Sequence, residues 1–457
     1  MNIDDLPQHL LVEILCRLPS SKIVFQCKCV SRRWFALISD PYFVLRFVSL
    51  QKCTTDDVLV ERDADMDAIL FYSKTNNRAY GQYSIWEYFV MAALPAKCKS
   101  RNLSLSFIPC FYQTTQTEPR MLGTYNDLIL CSTISEQEYY ICNPYTRQWI
   151  ALPLTPQVHR GSGIMGFTCD HPYYNHEELV GNQTSSNNIK LNAEYRYRVV
   201  RITVVKRNCL ECPVEIYSSE TGQWRESVIS SSRGFSFTSA SCSTRGVAYN
   251  GMLYWLCFGG LLIGVDPFNN TNSSISTDAN TIGDIVVNNE LCRFVQFHKP
   301  EYNITCVECL GVCQGRLRMC HYDMEDPYNS GILCVWELKE VEEEDDQKAD
   351  GIAGRLMKWC LIKKLNLNEM VAENPDIAKW RAEAGGWCEA RVPAFDPNDE
   401  DILYVNLDGD IVACNFRTRI SFTRQRIRPT DVIGGEFHPW ASAFPLSLKR
   451  WPTPVPN

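Results

Sequence analysis

Two cysteine pairs are the feature of this 457-residue sequence whose spacing most suggests chemistry. The pairs Cys209-x-x-Cys212 and Cys306-x-x-Cys309 have the spacing of zinc ligands, since two such pairs can supply the four thiolates of a tetrahedral site. They lie far apart, however, in a chain with 22 cysteines, where pairs of this spacing are expected by chance. We therefore predict no metal site and no cofactor.

The seven histidines are scattered and form no recognisable catalytic motif. The sequence contains no H-E-x-x-H, no G-x-S-x-G and no phosphate-binding glycine loop ending in Lys-Ser or Lys-Thr. A nucleophile, its base and a group that orients the base therefore cannot be assigned together. We predict that the chain itself is not an enzyme.

Composition and charge are those of an ordinary globular protein, with 45% hydrophobic and 21% charged residues. The net charge of -8 and the lack of a Lys/Arg-rich block argue against nucleic acid as a partner, because phosphates require a basic surface. No segment approaches the roughly 18 consecutive apolar residues of a membrane helix. The acidic start, MNIDDLPQHLL, is unlike a signal peptide. We expect a nuclear or cytoplasmic protein without a membrane partner, whose cysteines are free thiols buried in apolar segments.

Residues 3–48 show apolar positions at helical spacing and predict three short helices. The first is capped by Asp4 or Asp5, has Pro7 in its first turn, ends at Pro19 and carries the stripe Leu10, Leu11, Ile14, Leu15 and Leu18. The second begins at Ser20 or Ser21 and carries Ile23, Val24, Cys27 and Val30. Ser31 caps the third, which presents Trp34, Leu37 and Ile38 on one face and ends at Asp40-Pro41. A unit this small cannot bury so much apolar surface alone, so the surplus must contact either the rest of the chain or a partner.

The same segment resembles the F-box motif. Its first half is LPQHLLVEILCRLP (residues 6–19) and its second half is CVSRRWFALISDPYF (residues 29–43). The resemblance implies binding to a Skp-type adaptor and, through it, to a cullin. The positions that match the family's adaptor-facing residues are Leu6, Pro7, Ile14, Leu15, Leu18, Pro19, Val30, Ser31, Trp34 and Leu37. Leu6, Pro7 and Trp34 are the expected anchors, because rigid and large side chains concentrate binding energy.

Beyond the first fifty residues, a unit of strand, turn and strand recurs. YYICNPYTRQW (residues 139–149) and EIYSSETGQW (residues 215–224) both end in Thr-x-Gln-Trp, and weaker copies occur at residues 265–271 and 414–419. Tight turns ahead of apolar strands are predicted at Asn126-Asp127, Asn250-Gly251, Gln314-Gly315 and Asp408-Gly409. Asn-Gly and Asp-Gly supply the positive φ angles of two-residue hairpins. Residues 181–193 and 340–350 are predicted as polar loops, and residues 367–384 as a short helix or two.

A ring of four-stranded blades, each of about 40–50 residues, suits this series of hairpins. A β-sandwich is the alternative. The whole arrangement resembles plant F-box proteins with an F-box-associated, kelch-like domain. The segments that match are YYICNPYTRQWIALP, YRVVRI, EIYSSETGQW and VAYNGMLYW. The resemblance implies an α+β multidomain protein: a three-helix F-box at 1–48, a connector and first strands at 49–100, and an all-β, propeller-like (kelch-type) domain at 101–450.

The function implied is that of the substrate-recognition subunit of an SCF-type (Skp–cullin–F-box) ubiquitin ligase. The propeller would hold a protein substrate for ubiquitination, but the residues that contact it cannot be assigned from the sequence. Two alternatives stay open. One is an adaptor-independent propeller that serves as a protein-interaction module, and the other is a propeller enzyme with an accessory helical domain.

Overall fold

The computed structural model shows a helical N-terminus followed by a series of antiparallel sheets. The residues that it describes are 3–53, 66–75, 85–91, 101–102, 105, 107–109, 120–133, 138–156, 164–176, 189–192, 194–203, 209–235, 245–257, 261–269, 292–295, 307–323, 332–341, 356–367, 369, 390–407, 410–418, 420–426, 440–449 and 451–455. The helices are α1 (Gln8–Cys16), α2 (Ser21–Cys27), α3 (Arg32–Ser39) and α4 (Pro41–Cys53), and Ile3–Asp5 forms a 3-10 turn before them.

Serine caps explain where α2 and α3 begin, whereas α1 begins at Gln8, after Pro7, and not at Asp4 or Asp5, which belong to the 3-10 turn. The Ser20 hydroxyl accepts a hydrogen bond from the Ile23 N–H, and the Ser31 hydroxyl accepts one from the Trp34 N–H at 3.2 Å, so both predicted serine caps are present. Val30 lies after α2 rather than on it, because α2 ends at Cys27 in a series of tight turns.

The prediction of three helices missed α4. Asp40-Pro41 ends α3 and also begins α4, since the Asp40 carboxylate accepts a hydrogen bond from the Tyr42 N–H at 2.8 Å. Proline suits the first helical position because its missing N–H would have no partner there.

The strands follow in two halves. The first half comprises β1 (Met66–Thr75), β2 (Ile85–Met91), β3 (Arg101–Asn102), β4 (Arg120–Tyr125), β5 (Leu128–Ser132), β6 (Tyr139–Asn143), β7 (Gln148–Ala151), β8 (Ile164–Cys169), β9 (Tyr174–His176), β10 (Ile189–Leu191), β11 (Tyr197–Ile202), β12 (Cys209–Ser218) and β13 (Gln223–Phe235). The second half comprises β14 (Val247–Tyr249), β15 (Met252–Leu256), β16 (Leu262–Val265), β17 (Cys292–Val295), β18 (Val307–Cys313), β19 (Arg316–Tyr322), β20 (Ile332–Val341), β21 (Leu356–Asn366), β22 (Ala390–Phe395), β23 (Ile402–Leu407), β24 (Asp410–Asn415), β25 (Ile420–Arg426) and β26 (Trp440–Leu448).

Within the described residues these strands form six four-stranded antiparallel sheets, which are the blades of a propeller. The blades, written from the inner strand outward, are β26-β1-β2-β3, β4-β5-β6-β7, β8-β11-β12-β13, β14-β15-β16-β17, β18-β19-β20-β21 and β22-β23-β24-β25. Their inner strands contact one another in a closed ring, from β26 to β4, β8, β14, β18, β22 and back to β26. The first blade therefore takes its inner strand from the far end of the chain. This arrangement confirms the predicted propeller and rules out the sandwich.

The blades pack face to face through apolar side chains. Strand β11 belongs to the third blade. Its Val199 side chain packs against the second blade, and the side chain of the next residue, Val200, packs against the fourth blade. This alternation is that of a strand whose two faces are both buried. Cys131 and Cys257 are buried and form no disulfide bond, as predicted.

The hairpin turns lie where the sequence predicted them. Asn126, Asn250 and Gln314 have φ angles of 50°, 47° and 48°, in the left-handed region that two-residue hairpins require. The Asp408-Gly409 turn lies outside the described residues.

The prediction of a polar loop at residues 181–193 was partly wrong, because Ile189–Leu191 forms β10 and pairs with β9. Within the described residues, none of the helices is both long enough and apolar enough to cross a membrane.

Candidate adaptor-binding surface

The N-terminal helices have a hydrophobic core of their own. Helix α1 contributes one apolar stripe to it, Leu11, Val12, Leu15 and Cys16. Helices α3 and α4 close the other side of the core with Trp34, Leu37, Ile38, Phe43, Val44, Phe47 and Val48. Burial raises the pKa of the Cys16 thiol to about 12, which fits a dry interior.

A second set of apolar side chains, on the same helices and in the turns that join them, is exposed. Ile14, Val30 and Phe35 are 45%, 59% and 57% exposed. The other large apolar side chains exposed on this part of the chain before α4 are Ile3, Leu10 and Ile23. Leu10 and Ile14 are four residues apart and therefore share one face of α1, whereas Leu11 and Leu15 face the core. Exposed apolar side chains gathered on so small a module are typical of a surface that binds a partner.

The ten predicted adaptor-facing residues divide into three groups in the structure. Pro7, Ile14, Pro19 and Val30 are exposed. Leu6, Leu18 and Ser31 are half-buried, and Ser31 caps α3. Leu15, Trp34 and Leu37 are buried in the helical core. Adaptor contact by these residues stays a prediction, but the last group offers a partner little surface, since Trp34 is only 7% exposed.

Polar contacts fix the shape of this surface. The Arg33 guanidinium donates to the Leu6 carbonyl at 2.7 Å and so joins α3 to the segment that precedes α1. Arg46 of α4 forms an ion pair with Glu13 of α1 at 2.9 Å, and the hydrogen bond from Arg46 lowers the pKa of the Glu13 carboxyl. The ammonium of Lys28 lies 4.5 Å from the ring centroid of Phe25. Burial lowers the pKa of the Lys28 ammonium.

Trp451 completes the helical core, although it lies near the other end of the sequence. Its side chain is 2% exposed and packs against aromatic rings of α2 and α4. Sequence reasoning missed this residue because its partners are separated from it by almost the whole chain. The only local signal is a tryptophan that follows directly after the last strand.

The propeller encloses a cavity of about 350 Å³ between its inner strands. Arg245 is the one charged residue among the described residues that line it. Its guanidinium lies 4.6 Å from the ring centroid of Phe444 and donates to the Ala443 carbonyl. Within the described part of the chain there is no group of three or more side chains placed to hold a metal ion, and Cys212 and Cys309 are buried cysteines that form no disulfide bond.

Comparison with known proteins agrees with both parts of the structure. The F-box-like family matches residues 3–50, and the family described as "F-box protein At3g26010-like, beta-propeller" matches residues 96–428. F-box protein At5g49610 of Arabidopsis thaliana is 28% identical over 257 residues, which cover 55% of this chain and 58% of that protein. F-box protein At3g28330 of the same plant is 25% identical over 353 residues, which cover 74% of this chain and 72% of that protein.

A third relative, F-box protein At1g30790 of Arabidopsis thaliana, is 28% identical over 158 residues, which cover 34% of this chain and 35% of that protein. The chain thus spans about a third to somewhat more than half of the length of the first relatives that it matches. The propeller family alone accounts for most of this chain. The chain therefore belongs to the plant F-box proteins that carry a β-propeller of the At3g26010-like family.

Proposed function

We propose that this protein is the substrate-recognition subunit of an SCF-type ubiquitin ligase. The N-terminal helices bind a Skp-type adaptor, which joins the protein to a cullin, and the propeller holds a protein substrate. The contribution of this chain is positional and not catalytic. A substrate held near a ubiquitin-loaded enzyme experiences a high effective concentration of that enzyme, so its lysines react without any catalytic group on this chain.

The observation that carries this proposal is the exposed apolar face of helices whose own core is already filled. Trp34, Leu37 and Trp451 complete the interior, so Leu10, Ile14 and Val30 are apolar side chains that this core does not need. Full burial of an exposed side chain of this kind is worth about 1.5–3 kcal/mol, and a partner that covers the exposed half of each gains a corresponding part of it.

The test is co-purification of the full chain with a Skp-type adaptor. The variant of choice is Ile14→Asp/Val30→Asp, because both side chains are exposed and their replacement leaves the core unchanged. Trp34→Ala is unsuitable, since it would empty the core and report loss of folding. Leu210→Asp is the matched control, because Leu210 is 58% exposed on β12 of the propeller.

We expect the wild type and Leu210→Asp to bind the adaptor equally, and the double variant to bind at least about 100-fold more weakly while its helical circular dichroism is unchanged. Equal binding by the double variant would place the contact elsewhere and contradict the proposed surface. A folded wild-type chain that binds no adaptor would overturn the ligase proposal and favour the adaptor-independent interaction module.

A further inference from the structure

The segment 451–455, directly after β26, contacts both the helices and the propeller. At one end, the indole of Trp451 lies among three aromatic rings of the helices. Its ring centroid is 4.9 Å from that of Phe25, 5.4 Å from that of Phe47 and 6.0 Å from that of Phe43. The interior of the helical module is therefore built partly from a residue outside it.

Two residues farther on, the same segment is bound to the second blade. The N–H of Thr453 donates to Oδ2 of Asp127 at 2.8 Å, and its carbonyl accepts from Nδ2 of Asn143 at 2.8 Å. Nδ2 of Asn143 also donates to Oδ2 of Asp127 at 2.8 Å, so the two side chains hold each other in place. Next along the segment, the Pro454 carbonyl accepts a hydrogen bond from the Tyr195 hydroxyl. The anchor is thus a buried set of directed hydrogen bonds.

The closing strand of the propeller determines where Trp451 lies. Only two residues separate it from Leu448, the last residue of β26, and β26 is the inner strand of the first blade. In the folded chain the indole thus reaches the helices from the end of the strand whose pairing with β1 closes the ring. The helical module is so small that the loss of one large core side chain removes much of its stability.

We propose that Trp451 and its anchor couple the folding of the N-terminal helices to closure of the propeller. This coupling has a consequence for adaptor binding, which rests on the proposed function. Only a chain whose propeller ring is closed presents a stable docking surface to the adaptor. The coupling is reciprocal, because two linked equilibria change each other by the same factor. A partner that binds the helices therefore also stabilises the segment 451–455 and β26.

The experiment is amide hydrogen exchange on the full chain in three variants. Trp451→Ala removes the indole, and Asn143→Ala removes the two anchor hydrogen bonds that Nδ2 donates to the Thr453 carbonyl and to Asp127, without altering the helices or the segment itself. Asn415→Ala is the matched control, because Asn415 occupies the same turn position in the sixth blade. Oδ1 of Asn415 accepts hydrogen bonds from the backbone N–H groups two and three residues later, and Oδ1 of Asn143 does the same in its own turn. Asn415→Ala therefore shows how much of the effect comes from loss of these turn hydrogen bonds alone.

We expect exchange in residues 8–53 to be at least tenfold faster in Trp451→Ala and Asn143→Ala, and unchanged in Asn415→Ala. Addition of a Skp-type adaptor to the wild type should slow exchange in residues 440–455. If Trp451→Ala also unfolds the sheets, Trp451→Phe, which keeps an aromatic ring, should give faster exchange confined to the helices.

Helices that exchange at the wild-type rate in Trp451→Ala would overturn the coupling. Faster exchange in the helices, together with a wild type that binds no adaptor, would support the coupling and contradict the proposed function instead.

Discussion

Arg318 and Glu337 face each other across β19 and β20, and both are almost completely buried. Nε and Nη2 of the arginine donate to Oε2 of the glutamate at 2.9 and 2.8 Å. Burial opposes ionisation of Glu337, but the hydrogen bonds and charge of Arg318 outweigh it and lower the pKa of the carboxyl. Arg201 and Glu215 form the same cross-strand pair in the third blade at 2.7 Å.

Removal of one partner from this pair should destabilise the protein. In Glu337→Gln the Arg318 guanidinium stays buried with less compensating charge, so we expect the free energy of unfolding to fall by about 2–4 kcal/mol. Urea unfolding monitored by tryptophan fluorescence measures this change. The control is Arg417→Ala, which removes an exposed contact to Asp401 at 3.8 Å and should cost less than about 0.5 kcal/mol. If Glu337→Gln and Arg417→Ala lower the free energy of unfolding by similar amounts, the buried Arg318–Glu337 pair does not have the stabilising role expected here.

The buried carboxyl of Asp127 should make stability depend on pH. Burial raises its pKa from 3.8 to about 6, against the hydrogen bonds from Thr453 and Asn143. Between these values the folded state holds a proton that the unfolded state has released, so the free energy of unfolding falls as pH rises through this window. By pH 7 the loss is at most about 3 kcal/mol.

Denaturant unfolding of the wild type and Asp127→Asn at pH 4, 5, 6 and 7 measures this effect. The variant cannot ionise at this position but keeps an acceptor for the Thr453 N–H. The wild-type stability, taken relative to the variant, should therefore decrease from pH 4 to about pH 6.5 and then level off. A constant difference would show that Asp127 ionises normally, and a difference that increases with pH would show that folding lowers its pKa; either result contradicts the prediction.

The turn between β6 and β7 should gain stability from a glycine. Arg147 is exposed and has a φ of 57°, whereas the corresponding residue of the β12–β13 turn is Gly222, with a φ of 65°. An L side chain is strained in this region, so Arg147→Gly should raise the free energy of unfolding by up to about 1 kcal/mol. Thermal unfolding measures the gain. Gly222→Ala is the reverse change and should lower stability, and a loss in Arg147→Gly would refute the argument.

The close approach of the third and fourth blades should not tolerate a methyl group. A Cβ on Gly246 would lie 2.8 Å from both the Cα of Gly166 and the Trp255 ring. We expect Gly246→Ala to cost about 1–3 kcal/mol in an unfolding experiment. Gly123→Ala is the control, since its Cβ would lie 3.5 Å from the Cβ of Phe167, an ordinary contact, and should change stability little. If Gly246→Ala and Gly123→Ala lower the free energy of unfolding equally, the third and fourth blades can move apart to accommodate the methyl group.

Features with a local cause were predictable from the sequence. The Thr-x-Gln-Trp repeat has a direct structural reason, because the hydroxyls of Thr146 and Thr221 accept from the N–H groups of Gln148 and Gln223 and shape the turn. The serine caps and the apolar stripe of α1 are equally local. The start of α4 was also visible in Asp40-Pro41, but those residues were interpreted only as the end of α3.

Features that depend on distant contacts were not predictable. Nothing near Trp451 indicates that it packs on Phe43, because the contact depends on closure of the ring. The arginines of β11 and β19 did give a signal, since a charged residue in a buried strand requires a partner. The identity of that partner is fixed only by the strand register.

The first blade is completed late during synthesis. Roughly 340 residues separate β3 from β26, and a ribosome adds about 5–20 residues per second, so β1 waits roughly 17–70 s for its inner neighbour. During that interval its inner edge offers unpaired N–H and C=O groups to any other extended chain. Until residue 448 has left the ribosome, that edge is therefore where we expect pairing with another chain to compete with β26.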